Sequence, residues 1–332
     1  MEHNGPYLTI GIASYNYARY LPEAFDAICR QKFQDFEVLY CDDGSSDDSV
    51  AVIKGFIKNH PDMNIRLIEA ENGGILANKN RIIENARGQY LMICDADDYM
   101  SDDCLELLCG AAQREGADCV IGAFQEVDND KKIVKDHPLP AKPSKWLFSQ
   151  HHAQIYQTQL IREHGIGFTD IPDDVPYLQT MHVYCKKVAF VSEPVYFWRQ
   201  HSSSASRDIA VHKEWSPVPI WSKLVRQMVK VRKLISNSDD LRATDYYMYK
   251  YYYINSFAVQ DRNPAEARKQ LKAIQNEMKQ CMPRYRKASS FFASCKTGDT
   301  NFAKSVVVTC WLLEKVGLLH FALRLRIRLT TR

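Results

Sequence analysis

Apolar positions along the first hundred residues keep two rhythms. Short runs rich in β-branched residues, at Leu8 to Ala13, Glu37 to Cys41, Ile65 to Glu69 and Tyr90 to Cys94, read as strands. Between them Leu21, Ala24, Phe25 and Ile28, then Ile75, Leu76, Lys79, Ile82, Ile83 and Ala86, recur at helical spacing, with Lys79 the polar exception. This alternation predicts an α/β domain: a mostly parallel sheet flanked by crossover helices, each laying one apolar face on it. After Ala117 the rhythm weakens to one further strand at Asp118 to Phe124. A charged, Pro-containing connection from Asp128 to Lys145 then reads as loops over the crevice. From about Val211 the chain reads as helices, with a Tyr-rich stretch at Tyr246 to Tyr253 and a long run from Phe302 to Leu329. The expected division is 1–207 for the α/β domain and 208–332 for a helical region.

The polar positions are as ordered as the apolar ones. Ser14, Tyr15 and Asn16 follow the first strand, Asp42, Asp43, Gly44 and Ser45 the second, and Asp95 to Asp98 the fourth. Carboxyl ends of strands form the ligand crevice of an open α/β sheet, so the three clusters converge on one place. Asp95, Asp97 and Asp98 emerge together after an apolar run and invite a cation. Mg²⁺ and Mn²⁺ suit one or two protein carboxylates completed by phosphate oxygens and water. The competing reading is an Asp-rich turn capping a helix that begins near Asp102. Asp42 and Asp43 can accept hydrogen bonds from a base N–H or a ribose hydroxyl, whereas Asp47 or Asp48 suits a helix cap.

Bulk composition narrows the classes. The chain has 332 residues, 45% hydrophobic and 25% charged, enough for a large core in one elaborated domain or two. A net charge of +3 gives no bulk drive toward nucleic acid. The ten cysteines include no C-x-x-C pair and read as reduced thiols. Met1 to Pro6 lacks a basic start followed by an apolar stretch, and no run reaches the roughly 18 apolar residues of a membrane span. A catalytic part in the cytoplasm, or peripheral on the inner face of the cell membrane, is therefore expected.

From Tyr7 to Ser206 the chain resembles the family-2 inverting glycosyltransferases of GT-A fold, the kind that build bacterial surface polysaccharides. The resemblance rests on Ala13-Ser14-Tyr15-Asn16, on Phe33-x-x-Phe36-Glu37-Val38 leading into Asp42-Asp43-Gly44-Ser45, and on Asn72, Gly74, Lys79 and Asn80. It continues through Asp95-Ala96-Asp97-Asp98, Asp173-Asp174-Val175-Pro176, Glu193-Pro194-Val195-Tyr196 and the segment from Tyr196 to Ser204. It implies a nucleotide-diphospho-sugar donor, by family frequency a UDP-sugar, with Ser14 and Tyr15 against the base and Asp43 bound to it. Lys79 stands where the family has Arg and implies a charge toward the diphosphate. Asp95 would face the ribose or the metal's water shell, Asp97 would be the direct Mn²⁺ or Mg²⁺ ligand, and Asp98 would assist. Asp174 corresponds to the general base, with Asp173 in place of a Glu beside it. Arg199 or His201 would reach the diphosphate, and His201 is a further metal ligand or a surface-loop residue. Taken alone, Asp173 and Asp174 also suit plain N-capping of a helix with Pro176 in its first turn.

The acceptor implied is a growing glycan or a lipid-linked sugar. Two other readings stand beside this one. A non-catalytic sugar- or partner-binding module would keep the fold without turnover. A nucleotidyltransferase would want a basic Gly-rich loop where Ala13-Ser14-Tyr15-Asn16 stands. Between Asn301 and Arg332, Lys304, Lys315, Arg324, Arg326, Arg328 and Arg332 face only one acid, Glu314. That basic, amphipathic segment suits either an anionic membrane interface or packing on the rest of the chain.

Overall fold

The computed structural model describes residues 5–171, 173–201, 217–258, 264–296, 298–319, 321–322 and 325. The chain forms two compact units, one from Met1–Leu139 and Gln150–Ser204, the other from Pro140–Ser149 and Ala205–Arg332.

The first unit is built on β1 (Leu8–Ser14), α1 (Leu21–Cys29), β2 (Phe36–Asp42), α2 (Ser49–Asn59), β3 (Ile65–Glu69), α3 (Ile75–Asn85) and β4 (Tyr90–Asp95). It continues through β5 (Tyr99–Met100), α4 (Cys104–Glu115), β6 (Cys119–Val127), β7 (Ile133–His137), β8 (Gln154–Gln157), α5 (Thr158–Glu163), α6 (Val175–Tyr184) and β9 (Val188–Arg199). The sheet runs β3-β2-β1-β4-β8-β6-β9-β5, with β7 beside β6. Its first half is parallel, as the alternation predicts. The second half is mixed: β8 runs antiparallel to both β4 and β6, while β6 and β9 are parallel.

β1 lies between β2 and β4 and all seven of its residues are buried, which is why its sequence is mostly apolar, with Thr9 and Ser14 the polar members. At its centre a Cβ on Gly11 would fall 2.1 Å from Ile82 Cγ2, so glycine there lets α3 press onto the sheet. That approach carries Lys79 under the strand ends.

The expected loops at Asp128 to Lys145 differ from what is observed. Ile133–His137 forms β7, an exposed strand hydrogen-bonded to β6, and Pro140–Ser149 belongs to the second unit. A strand covered on neither face needs no apolar alternation, so its sequence carries charge instead.

The second unit contains a short 3-10 turn at Lys145–Leu147 and helices α7 (Pro217–Lys233), α8 (Ser238–Ala258), α9 (Pro264–Cys281), α10 (Ala288–Ser294) and α11 (Asn301–Lys315). The Tyr-rich stretch is core. Glu314, itself buried, accepts hydroxyl hydrogen bonds from Tyr252, Tyr253 and Tyr285. Trp146 donates to Asp240 at 2.8 Å. Thr300 caps α11, and Gly317, with φ of 76°, follows its end, so the apolar run from Phe302 is not one continuous helix. The ten cysteines form no disulfide. Among the described residues no helix is long and apolar enough to cross a membrane.

Candidate active site

The ends of β1 and β2 are tied together before any ligand is considered. Asn16, at φ 56°, donates its N–H to Ser45 Oγ and accepts from the Ser46 N–H, both at 2.8 Å. Ala18 donates to Asp47. Tyr15 is left exposed on this loop, whereas Ser14 is buried.

Asp43 is 2% exposed and its oxygens take hydrogen bonds from the Gly73 and Gly74 N–H groups and from Arg81 at 2.6 Å. It therefore shapes the loop into α3. Asn78 completes that join by donating to the Cys41 carbonyl.

At the end of β4 the three aspartates separate into three environments. Asp98 is enclosed, accepting from Tyr196 Oη and from the Arg199 N–H, each at 2.8 Å. Burial, with Asp97 and Asp95 close by, pushes its carboxyl well above the usual carboxylate range. Asp98, expected to assist as a metal ligand, has both oxygens engaged here and joins the β4 turn to β9. Arg199, expected to reach a diphosphate, is likewise enclosed. Its Nε donates to the Asp97 carbonyl at 2.8 Å and its Nη2 pairs with Glu23.

Asp97 Oδ2 and His201 Nε2 are 2.8 Å apart, and the His201 ring stacks on Tyr20. These two side chains, expected as metal ligands, do meet. A carboxylate with an imidazole fits Mn²⁺ better than Mg²⁺, which prefers an all-oxygen shell.

Asp95 faces the other way, into a cluster around Lys79. Lys79 Nζ lies 3.1 Å from Asp95 Oδ1, 3.3 Å from His151 Nε2 and 3.8 Å from Asp174 Oδ1. Burial alone would lower the Lys79 pKa, but Asp174 and Asp95 raise it above its ordinary value, so the ammonium stays charged. Conversely, burial opposes ionisation of Asp95, yet the Lys79 ammonium holds it well below the usual range. The Lys79 charge expected to point at a diphosphate is thus taken up by protein acceptors.

Asp174 stands at the N-cap position of α6 but makes no side-chain capping bond; Asp173, just before it, accepts from the Val175 N–H at 2.8 Å. The Asp174 carboxylate turns instead to His151, with Nδ1 to Oδ2 at 2.6 Å. His151 and Lys79 outweigh its burial and hold it well below the usual carboxylate range. The two neighbouring carboxylates thus have different partners, Asp173 the helix start and Asp174 the His151 ring.

His151 and His152 were not legible as site residues. Their nitrogens and an Asp95 oxygen lie within 4.8 Å of one another, a donor set that could hold a metal. Lys79 already places a cation against Asp95 and His151, so this set fits an ion less well than Asp97 with His201. The adjacent His pair just ahead of a short strand was the only signal available.

Residues 9–171 match the glycosyl transferase family 2 model. This chain carries a family-2 glycosyltransferase domain. It is 25% identical to glycosyltransferase GlyG of Streptococcus pneumoniae over 221 residues, 60% of this chain and 73% of that one. Matches to several other curated relatives cover 62% of their length or less. In fold, this glycosyltransferase resembles Staphylococcus aureus TarS 1–349 in complex with UDP-GlcNAc, with TM-score 0.67, 16% identity and coverage of 93% and 92% of the two chains. It also resembles a Pyrobaculum calidifontis mannosyltransferase solved with GDP-Man and Mn²⁺, with TM-score 0.51, 15% identity and coverage of 98% and 86%.

Proposed function

We propose that this enzyme moves a sugar from a UDP-sugar, with inversion, to a hydroxyl of a growing surface glycan or lipid-linked acceptor. The observation that carries the reading is Asp174: a carboxylate held ionised beside Asp95, with one oxygen on His151 and its side chain 24% exposed. As the acceptor oxygen bonds to the anomeric carbon, the bond from that carbon to the diphosphate breaks and its electron pair leaves on the diphosphate. The acceptor's proton passes to Asp174. Ser14, Tyr15 and the Asp43-anchored loop at Gly73 and Gly74 would form the nucleotide wall, with Asp173 holding the start of α6.

A divalent cation at Asp97 and His201 would neutralise the departing diphosphate. The 2.8 Å approach of these two groups supports that placement. Asp97→Ala is expected to weaken Mn²⁺-dependent UDP binding by about tenfold or more while leaving metal-free binding unchanged. Calorimetry with and without Mn²⁺ reads this, and equal affinities would move the metal elsewhere. UDP release from UDP-GlcNAc with Mn²⁺ tests the function itself; no release from any UDP-sugar would leave the binding-module reading.

The second unit is proposed to touch the membrane. On α11, Phe302, Val306 and Leu312 are exposed, and Val316, Leu318 and Phe321 beyond it are exposed as well. Lys304 and Lys315 lie together to one side of this stripe, and basic residues there favour an anionic interface. The chain should co-sediment with vesicles containing phosphatidylglycerol but not with purely zwitterionic ones, and Phe302→Ser with Val316→Ser should abolish it. Binding that survives both changes would exclude this face.

A further inference from the structure

Among the described residues, the buried groups around the base include one that neither the motifs nor the proposed mechanism uses. The His151 ring is 3% exposed on its side chain and is held between two charged groups. An ammonium has donors only, so a hydrogen bond from Lys79 Nζ to His151 Nε2, 3.3 Å away, takes the ring nitrogen as its acceptor. That leaves the ring neutral with its proton on Nδ1, where it donates to Asp174 Oδ2 at 2.6 Å. Asp95 Oδ2, 3.5 Å from Nε2, does not change the assignment. The ring orientation is fixed from behind: His152 lies against it with centroids 4.7 Å apart, and Tyr196 stacks on His152 at 5.2 Å.

We infer that His151 is a positioning residue, locked by Lys79 as the Nδ1–H tautomer so that it aims the Asp174 carboxylate at the acceptor hydroxyl. This deepens the proposed function and rests on its reading of Asp174 as the base. With Oδ2 engaged by His151, Oδ1 lies 3.8 Å from Lys79, outside hydrogen-bond distance, and is the oxygen left to take the proton. The lysine also joins the two halves of the site, since it pairs with Asp95 as it orients the ring that orients the base.

Two measurements on the full chain test this. In a [¹⁵N]histidine-labelled sample at neutral pH, the His151 signal is identified by its loss in His151→Ala. It should be that of a neutral ring protonated at Nδ1. An Nε2–H tautomer or a cationic ring overturns the inference, with no donor sugar needed.

The second readout is UDP-GlcNAc hydrolysis with Mn²⁺. His151→Ala should lower kcat by about 10- to 100-fold with KM changed by no more than about twofold. Asp174 faces His151 and His152 ahead of β8, Lys79 on α3 and Asp95 on β4; without His151 it loses one of the two groups that hold its pKa down. The acidic limb of the kcat/KM profile should therefore move to higher pH. His151→Asn, whose amide N–H takes the place of Nδ1–H, should recover most of the rate. Wild-type kcat and an unmoved limb in His151→Ala, with Asp174→Asn inactive, overturn the positioning role alone. An active Asp174→Asn overturns the base reading and this inference together.

Discussion

Asp174→Asn is expected to lower the transfer rate about a thousandfold while changing UDP affinity by no more than about twofold. Asparagine keeps the shape and can still meet His151, but it cannot accept the acceptor's proton. The pH dependence follows from the direction of the shift. Asp174 is held below its ordinary value, so it is ionised through the neutral and mildly acidic range and loses the proton-accepting form only as pH falls through its low folded-state pKa. The rate should thus stay flat as pH is lowered to about 4, the ordinary aspartate value, and fall only below it. A stopped assay of UDP release across pH, for wild type and Asp174→Asn, checks both statements. A rate in the variant within about tenfold of wild type would assign the base elsewhere.

The largest effect on the fold is expected from Lys79→Met. The change keeps the buried stem but removes the one ammonium that faces Asp95, Asp174 and His151 together. Breaking a buried ion pair by removing one partner costs about 3–5 kcal/mol, because the remaining charge is left uncompensated. Urea unfolding at neutral pH should show that loss, and activity should fall with it. Asp95 and Asp174 have depressed values, so their contribution is present above the unfolded carboxylate pKa and lost as pH falls through the folded one. The gap in stability between wild type and Lys79→Met should therefore narrow as pH drops below about 4. A gap that stayed constant or widened would mean that Lys79 acts through packing.

The parallel half of the sheet was legible because β1, β2 and β4 are buried along almost their whole length and are mostly apolar, as β1 shows over Leu8–Ser14. Lys79 was visible as the polar member of an apolar helical stripe, and the structure explains it: the stripe faces the core, and the lysine meets buried carboxylates there. β7 was not legible, since an exposed edge strand has no apolar face to announce it. The division of labour between neighbours was hidden as well. Asp97 and Asp98 read alike in sequence, yet one meets His201 and the other is sealed by Tyr196 and the Arg199 backbone. His151 was missed because its meaning depends on Asp174 and Lys79, 23 and 72 positions away.

The excursion of Pro140–Ser149 into the second unit bears on how this chain is made and how it can be cut. A ribosome releases Trp146 long before Asp240, its partner, so the short segment must wait, unpartnered, while the sheet around β8 closes. A protein truncated after residue 207 would carry that wait permanently, with an apolar indole looking for a surface to stick to. Gene fusions that graft this catalytic unit onto another tail would have to replace two stretches of sequence at once.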